Sequence, residues 1–131
     1  VMVDGRPLSE DRQFREKVAA LEVELKALEM TQMRVISETN QQADKPDPKT
    51  SILKLKGSEL QQQATELLMD VAGYAAMEFD GDFLSGRRQA DSDEDWARTI
   101  APNYYFARHV SIVGGSNEVQ RNILAKSILG L

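Results

Sequence analysis

Between Asp11 and Thr39 the chain sets Phe14, Val18, Leu21, Leu25 and Leu28 at spacings of 4, 3, 4 and 3, and Val35 rejoins the row. Intervals of three and four keep side chains on one face of a helix, because a turn takes 3.6 residues. Val23, Ala27, Met30 and Met33 widen that stripe. At 1.5 Å per residue the predicted helix is about 40 Å long, a length that suits a bundle or coiled coil. Ser9 is a suitable N-cap, and Glu10 and Asp11 favour the positive end of the helix. In "QQADKPDPKTS" the prolines Pro46 and Pro48 stop the pattern, since proline in a helix interior removes a hydrogen bond. Ser51 then caps a second predicted helix, Ile52 to Met77, with Leu53, Gly57, Leu60, Ala64, Leu67, Val71 and Tyr74 as its stripe. Glycine within a helix costs about 1 kcal/mol against alanine. The small residues Gly57 and Ala64 are therefore expected to admit a close neighbouring helix.

"EFDGDFLSGRRQADSDEDW" carries Gly81, Gly86 and the acidic run Asp91 to Asp95, and reads as an exposed loop with a solvated charge run. Trp96 is expected to anchor that loop on the helices. A third helix is predicted from Pro102 to Val113, with proline in a permitted first turn. Tyr104, Tyr105 and Phe106 on it are expected in a core or interface, and Arg108 and His109 at the surface or core edge. A fourth helix is predicted from Ser116 to Leu129, with Val119, Ile123 and Ile128 apolar. No segment alternates as a strand does. The expected fold is all-α, an antiparallel four-helix bundle of the up-down-up-down type.

Composition narrows the function. A chain of 131 residues suits one domain, and 41% hydrophobic with 28% charged residues is ordinary for a soluble globular protein. A net charge of -5 argues against a general binder of nucleic acid or anionic membrane, which would carry a basic face. No apolar run approaches the roughly 20 residues needed to span a bilayer, and no signal-peptide pattern opens the chain. Cysteine is absent and His109 is the single histidine, which excludes disulfides, a thiolate nucleophile and a Cys- or His-rich metal site. The chain starts at Val1 in mid-pattern, so it is expected to be one domain, residues 1–131, of a longer protein.

The remaining candidate chemistry lies near the end, in "SIVGGSNEVQRNILAKSILGL". Gly114 and Gly115 permit positive φ and carry no Cβ. Ser116 is a good N-cap, and the free N–H groups of the next turn sit at the positive end of the helix dipole. Such a place accepts an anionic or oxygen-rich ligand, although a plain helix–helix turn explains the same residues.

"FARHVSIVGGSNEVQRNIL" resembles, in order and spacing, the C-terminal end of acyl-CoA dehydrogenases. "SILKLKGSELQQQATELLMDVAGY" and "LEVELKALEMTQMR" resemble the preceding helices of the same domain, so the resemblance spans nearly the whole chain. It implies the C-terminal bundle of an FAD-dependent oxidoreductase that removes hydrogens from the α and β carbons of an acyl-CoA thioester. A glutamate takes the α-proton there, hydride passes to the flavin, and an electron-transfer flavoprotein collects the electrons. It also implies dimers or tetramers, homomeric or heteromeric, in a bacterial cytoplasm or a mitochondrial matrix. Ser116, Asn117 and Glu118 match the family's FAD-contacting turn, and Gly115 the glycine lying against substrate. Val71, Ala72 and Gly73 match a segment that reaches the FAD of a neighbouring subunit. Met69 stands there for a usual glutamine, and Ala72-Gly73 for a usual double glycine. The aromatic and arginine pair that holds the adenosine has no clear match near "VDGRPLSEDRQF". The catalytic glutamate of many members falls at Gly114, and glycine cannot abstract a proton. Some members carry that glutamate on an earlier helix, and others lack it and serve as non-catalytic partners. A related flavin oxidase is a further possibility, and no catalytic base is assigned.

Overall fold

The structure is a computed structural model that describes residues 1–3, 5–39, 47–92 and 95–131. It is mostly helical, as the periodicity predicts. The long helices are α1, Arg12–Thr39, and α2, Thr50–Ala72. Three shorter α-helices follow: α3, Gly81–Leu84; α4, Ile100–Phe106; and α5, Asn117–Leu124. The strands β1, Met2–Val3, and β2, Arg6–Pro7, form a minimal antiparallel hairpin that no alternation announces.

Helix starts differ from expectation in an informative way. Leu8–Glu10 form a 3-10 turn, so Ser9 lies inside it and Asp11 caps α1. The Asp11 carboxylate accepts the Phe14 N–H at 2.7 Å and its carbonyl accepts the Arg15 N–H. At α2 the cap shifts the other way, to an earlier residue than predicted. Asp47 accepts the Lys49 N–H on its side chain and the Thr50 N–H on its carbonyl, leaving Ser51 buried within the helix. Pro46 lies outside the described residues.

The chain divides into two compact units, each described by itself. The first comprises Val1–Val18 and Gln62–Arg108. Its core is made of small side chains: Ala72, Ala76 and Ala97 are buried, with Met69, Ala75, Ile100 and Ala101 packed against them. Helix α2 ends at Gly73, whose φ of 55° is left-handed, and a 3-10 segment, Gly73–Met77, takes over. That change of winding throws Tyr74 off the predicted stripe, and it is 97% exposed. Arg108 is held over the Tyr104 ring at 4.4 Å, reaches Glu66 at 3.0 Å and donates to the Gln62 carbonyl and the Thr65 hydroxyl.

The segment expected as a solvated loop is instead organised around Asp95, which is 2% exposed. Its carboxylate accepts from Arg88 at 2.9 Å, pairs with Arg98 at 2.9 Å, and accepts the N–H groups of Asp91 and Ser92. Asp80 caps α3 by accepting the Phe83 N–H and binds the same two arginines, at 2.9 and 3.1 Å. The Arg88 hydrogen bond, foremost, and the backbone donors hold the Asp95 carboxyl well below the usual carboxylate range. A buried charge persists only when paired and hydrogen-bonded, and this cluster supplies both conditions. Asp91 remains exposed, while Asp93 and Glu94 lie outside the described residues. Trp96 follows in the 3-10 segment Asp95–Thr99 and is partly exposed.

The second unit comprises Ala19–Gln61 and His109–Leu131. Val35, Leu55 and Leu60 are its buried apolar residues, and Ser51 and Ser58 its buried polar ones. Helices α1 and α2 run antiparallel within it, pairing Glu24 with Lys56 at 2.9 Å and Glu38 with Lys49. Leu25 is 56% exposed despite its place on the stripe, as are Val23, Met30, Met33 and Ile36 to similar degrees. Gly57 has open space where a Cβ would stand, so no helix approaches closely there. The predicted third helix ends at Phe106 and tightens into a 3-10 segment, Ala107–Ser111. The predicted fourth is α5 followed by a π-helical turn, Ala125–Leu129, closed by left-handed Gly130. Val119, Ile123 and Ile128 are exposed.

Candidate functional site

The Gly114–Gly115 turn joins the 3-10 segment to α5. Both glycines are left-handed, with φ of 72° and 93°. A Cβ at Gly114 would meet open space, but any side chain there would have to adopt a backbone that L-residues rarely hold. Gly114 therefore holds a backbone conformation that favours glycine over any other residue. A Cβ at Gly115 would lie 2.7 Å from the Gln120 Nε2, because Gln120 folds back and donates to the Gly114 carbonyl at 3.1 Å.

Ser116 is the N-cap of α5, in extended conformation, with its hydroxyl accepting the Val119 N–H. Asn117 begins the helix. Its Oδ1 accepts from Lys54 Nζ at 2.7 Å and lies 3.2 Å from the Ser58 hydroxyl. Glu118 is exposed. Its own backbone N–H, then the Ser116 hydroxyl, and then the charges of Arg121 and Lys54 hold its carboxyl below the usual range. It is thus an anion at neutral pH. Arg121 pairs with Glu59 at 3.2 Å within the chain. Gly114, Gly115, Ser116, Asn117 and Glu118 thus occupy one continuous turn of the second unit.

Val71, Ala72 and Gly73 belong to the first unit. Ala72 is buried in its alanine core, and Gly73 is exposed. Val71 and Ala72 line a cleft of about 470 Å³ together with Val1, Met2, Ala75, Trp96 and Ala97. Met69 packs on the same alanine core.

Three residues of the turn's surroundings escape sequence reasoning: Lys54, Ser58 and Gln120. Lys54 and Ser58 meet Asn117 across more than fifty residues of chain, which no local period encodes. Gln120 had a local signal, since it sits in the first turn of a helix that follows two glycines. Among the described residues no group of His, Asp and Glu side chains could hold a metal ion, and no helix is long and apolar enough to cross a membrane.

The geometry defines a helical domain with a doubly left-handed glycine turn feeding a capped helix start lined with hydrogen-bonding groups. Residues 2–129 match the family described as acyl-CoA dehydrogenase, C-terminal domain, and the chain belongs to that family. It is similar to acyl-CoA dehydrogenase IpdE1 of Mycobacterium tuberculosis (strain ATCC 25618 / H37Rv), 38% identical over 82 residues, 62% of this chain and 18% of the relative. It is also similar to IpdE1 of Mycolicibacterium smegmatis (strain ATCC 700084 / mc(2)155), 35% identical over 82 residues, 62% of this chain and 17% of the relative. The matched segment spans less than a fifth of these curated relatives. No solved structure matches the chain.

Proposed function

We propose that this chain is the C-terminal, four-helix up-down-up-down domain of a flavin-dependent acyl-CoA dehydrogenase that acts in an oligomer. The family match over residues 2–129 carries this reading. The antiparallel α1 and α2 of the second unit support the bundle arrangement. The donor set at the glycine turn suits FAD. Ser116 and Asn117 are neutral hydrogen-bonding groups, and ionised Glu118 accepts from hydroxyls. An anion at that position disfavours phosphate and favours the polyol and carbonyl parts of the cofactor. Val71, Ala72 and Gly73 are assigned to the flavin of a neighbouring subunit, and Gly115, lacking a Cβ, to close contact with the acyl-CoA.

FAD, when bound, supplies the hydride acceptance that the α,β-dehydrogenation needs. This chain's part is to bind and orient: Ser116 and Asn117 at the cofactor, Gly115 at the thioester. The proton-abstracting base is assigned outside this chain, on an earlier helix of the full-length protein. Reduced flavin would pass its electrons to an electron-transfer flavoprotein, in a bacterial cytoplasm or mitochondrial matrix. Gly114 favours a second reading, a non-catalytic subunit of a heteromeric dehydrogenase, because the usual base position is empty of a carboxylate.

The experiment is purification of the full-length protein with its flavin spectrum, followed by dye reduction with a panel of acyl-CoA thioesters. Bound FAD and acyl-CoA-dependent reduction are expected, lost when a glutamate on the preceding helix becomes glutamine. Failure to bind FAD when it is supplied would sink the reading. FAD binding without reduction, absent a partner subunit, would select the second one.

A further inference from the structure

A residue that bonds to both sides of the glycine turn belongs to neither the turn nor α5. Lys54, on α2, donates to the Ser111 carbonyl at 3.0 Å and to Asn117 Oδ1 at 2.7 Å. Ser111 closes the 3-10 segment before the glycines, and Asn117 opens the helix after them. One ammonium group thus spans a turn whose two glycines have the widest backbone freedom of any residue. Ser58, one turn along α2 and buried, shares its single proton between the Leu55 carbonyl, at 2.8 Å, and the same Asn117 oxygen.

The chemistry of this contact fixes more than position. An ammonium can only donate. The Asn117 amide must therefore turn its oxygen to Lys54, which places its NH2 donors on the opposite edge. Without Lys54 the amide could flip, and either its oxygen or its nitrogen would face a ligand. A ligand that needs a donor there would then meet the right one only part of the time.

We infer that Lys54 is a positioning residue for the cofactor site. It braces the Gly114–Gly115 turn from both sides and sets the Asn117 amide so that its NH2 is presented to an oxygen of the flavin cofactor. This rests on the cofactor reading above, and the test separates the two. Lys54 makes no contact with the cofactor and works through Asn117.

The test uses the full-length protein, with Lys54→Met, Lys54→Arg and Asn117→Asp variants. Two quantities are read: hydrogen exchange of the backbone amides of residues 112–120 without flavin, and the Kd for FAD added to flavin-free protein. In Lys54→Met, exchange in the turn is expected to rise about tenfold or more and FAD affinity to fall about tenfold, with unchanged helical circular dichroism. Lys54→Arg, which retains the donor, is expected to recover most of both. Asn117→Asp, which keeps the acceptor for Lys54 and removes the NH2, is expected to keep wild-type exchange and lose FAD affinity. Should Lys54→Met not fold, Lys54→Leu, which likewise has no donor, carries the same comparison. Wild-type exchange in Lys54→Met would overturn the brace. A loosened turn with normal FAD affinity would overturn the orienting role. Accelerated exchange in a protein that never binds FAD, wild type included, would support the brace and remove the cofactor reading.

Discussion

The two glycines of the turn make a stability prediction that isolates backbone strain from steric crowding. At Gly114, φ is 72° and a Cβ would meet nothing within 4 Å. Alanine there bears only the left-handed penalty, about 1–2 kcal/mol. Against it stands the loss of unfolded-chain freedom, about 0.4–1 kcal/mol in alanine's favour. The net expectation for Gly114→Ala is a loss of about 0.5–1 kcal/mol, with Gly114→Asn milder, because asparagine tolerates this region. At Gly115 the φ of 93° lies further from the left-handed well, and the new methyl would stand 2.7 Å from Gln120 Nε2. Gln120 would have to swing out and give up its bond to the Gly114 carbonyl, about 0.5–1.5 kcal/mol more. Gly115→Ala is thus expected to cost about 1–2.5 kcal/mol. The assay is urea unfolding followed by circular dichroism, on single variants and in a Gln120→Ala background. In that background the Gly115→Ala cost should shrink toward that of Gly114→Ala. An equal cost in both backgrounds would refute the crowding argument, and a neutral Gly114→Ala would refute the left-handed one.

Gly57 sits mid-helix in α2 with open space at its Cβ position, so Gly57→Ala should raise stability by about 0.5–1 kcal/mol in the same assay. Asp95 has a depressed carboxyl, so the stability it contributes is present above the unfolded carboxylate value near pH ~4 and drains as pH falls toward the folded value. Wild type should therefore lose stability on acidification below about pH 4 more steeply than Asp95→Asn, which should already be the weaker protein at pH 7; parallel acid profiles would contradict this. Glu16→Gln, which breaks a pair between exposed Arg12 and Glu16, should leave the unfolding midpoint unchanged within error. Residues 1–131 alone should give a helical circular dichroism spectrum and no flavin absorbance after incubation with FAD and dialysis; a retained flavin band would show that this domain holds the cofactor unaided.

The long helices were legible because a 3.6-residue period recurs over many turns, and α1 and α2 fall within a residue or two of their predicted starts. Their caps were not, because aspartate and serine are both good N-caps, and here the carboxylates of Asp11 and Asp47 accept the N–H groups at the helix starts in place of the nearby serines. Tyr74 and Leu25 satisfy the stripe in sequence yet face solvent. For Tyr74 the cause is the left-handed Gly73, which resets the phase of the helix. The burial of Asp95 was misread as solvation because its partners Arg88 and Arg98 converge only when the 80–98 loop closes. The glycine turn itself was readable from four consecutive residues, Gly114 to Asn117. The lysine that braces it was not, since Lys54 and Asn117 lie 63 residues apart.

A chain without cysteine has nonetheless found a cross-link. Asp80 and Asp95, bridged by Arg88 and Arg98, tie the two ends of a nineteen-residue span into a ring, as a disulfide would. Closing such a ring in the folded state removes freedom that an open strand would keep, and the logic is that of loop closure. Unlike a disulfide, this fastening needs no oxidising compartment and is indifferent to thiol reductants. Its vulnerabilities are those of charge: acid, which protonates its carboxylates, and concentrated salt, which competes for its arginines. The span between residues 80 and 98 is accordingly a staple that any reducing cell can assemble and that acid or concentrated salt loosens.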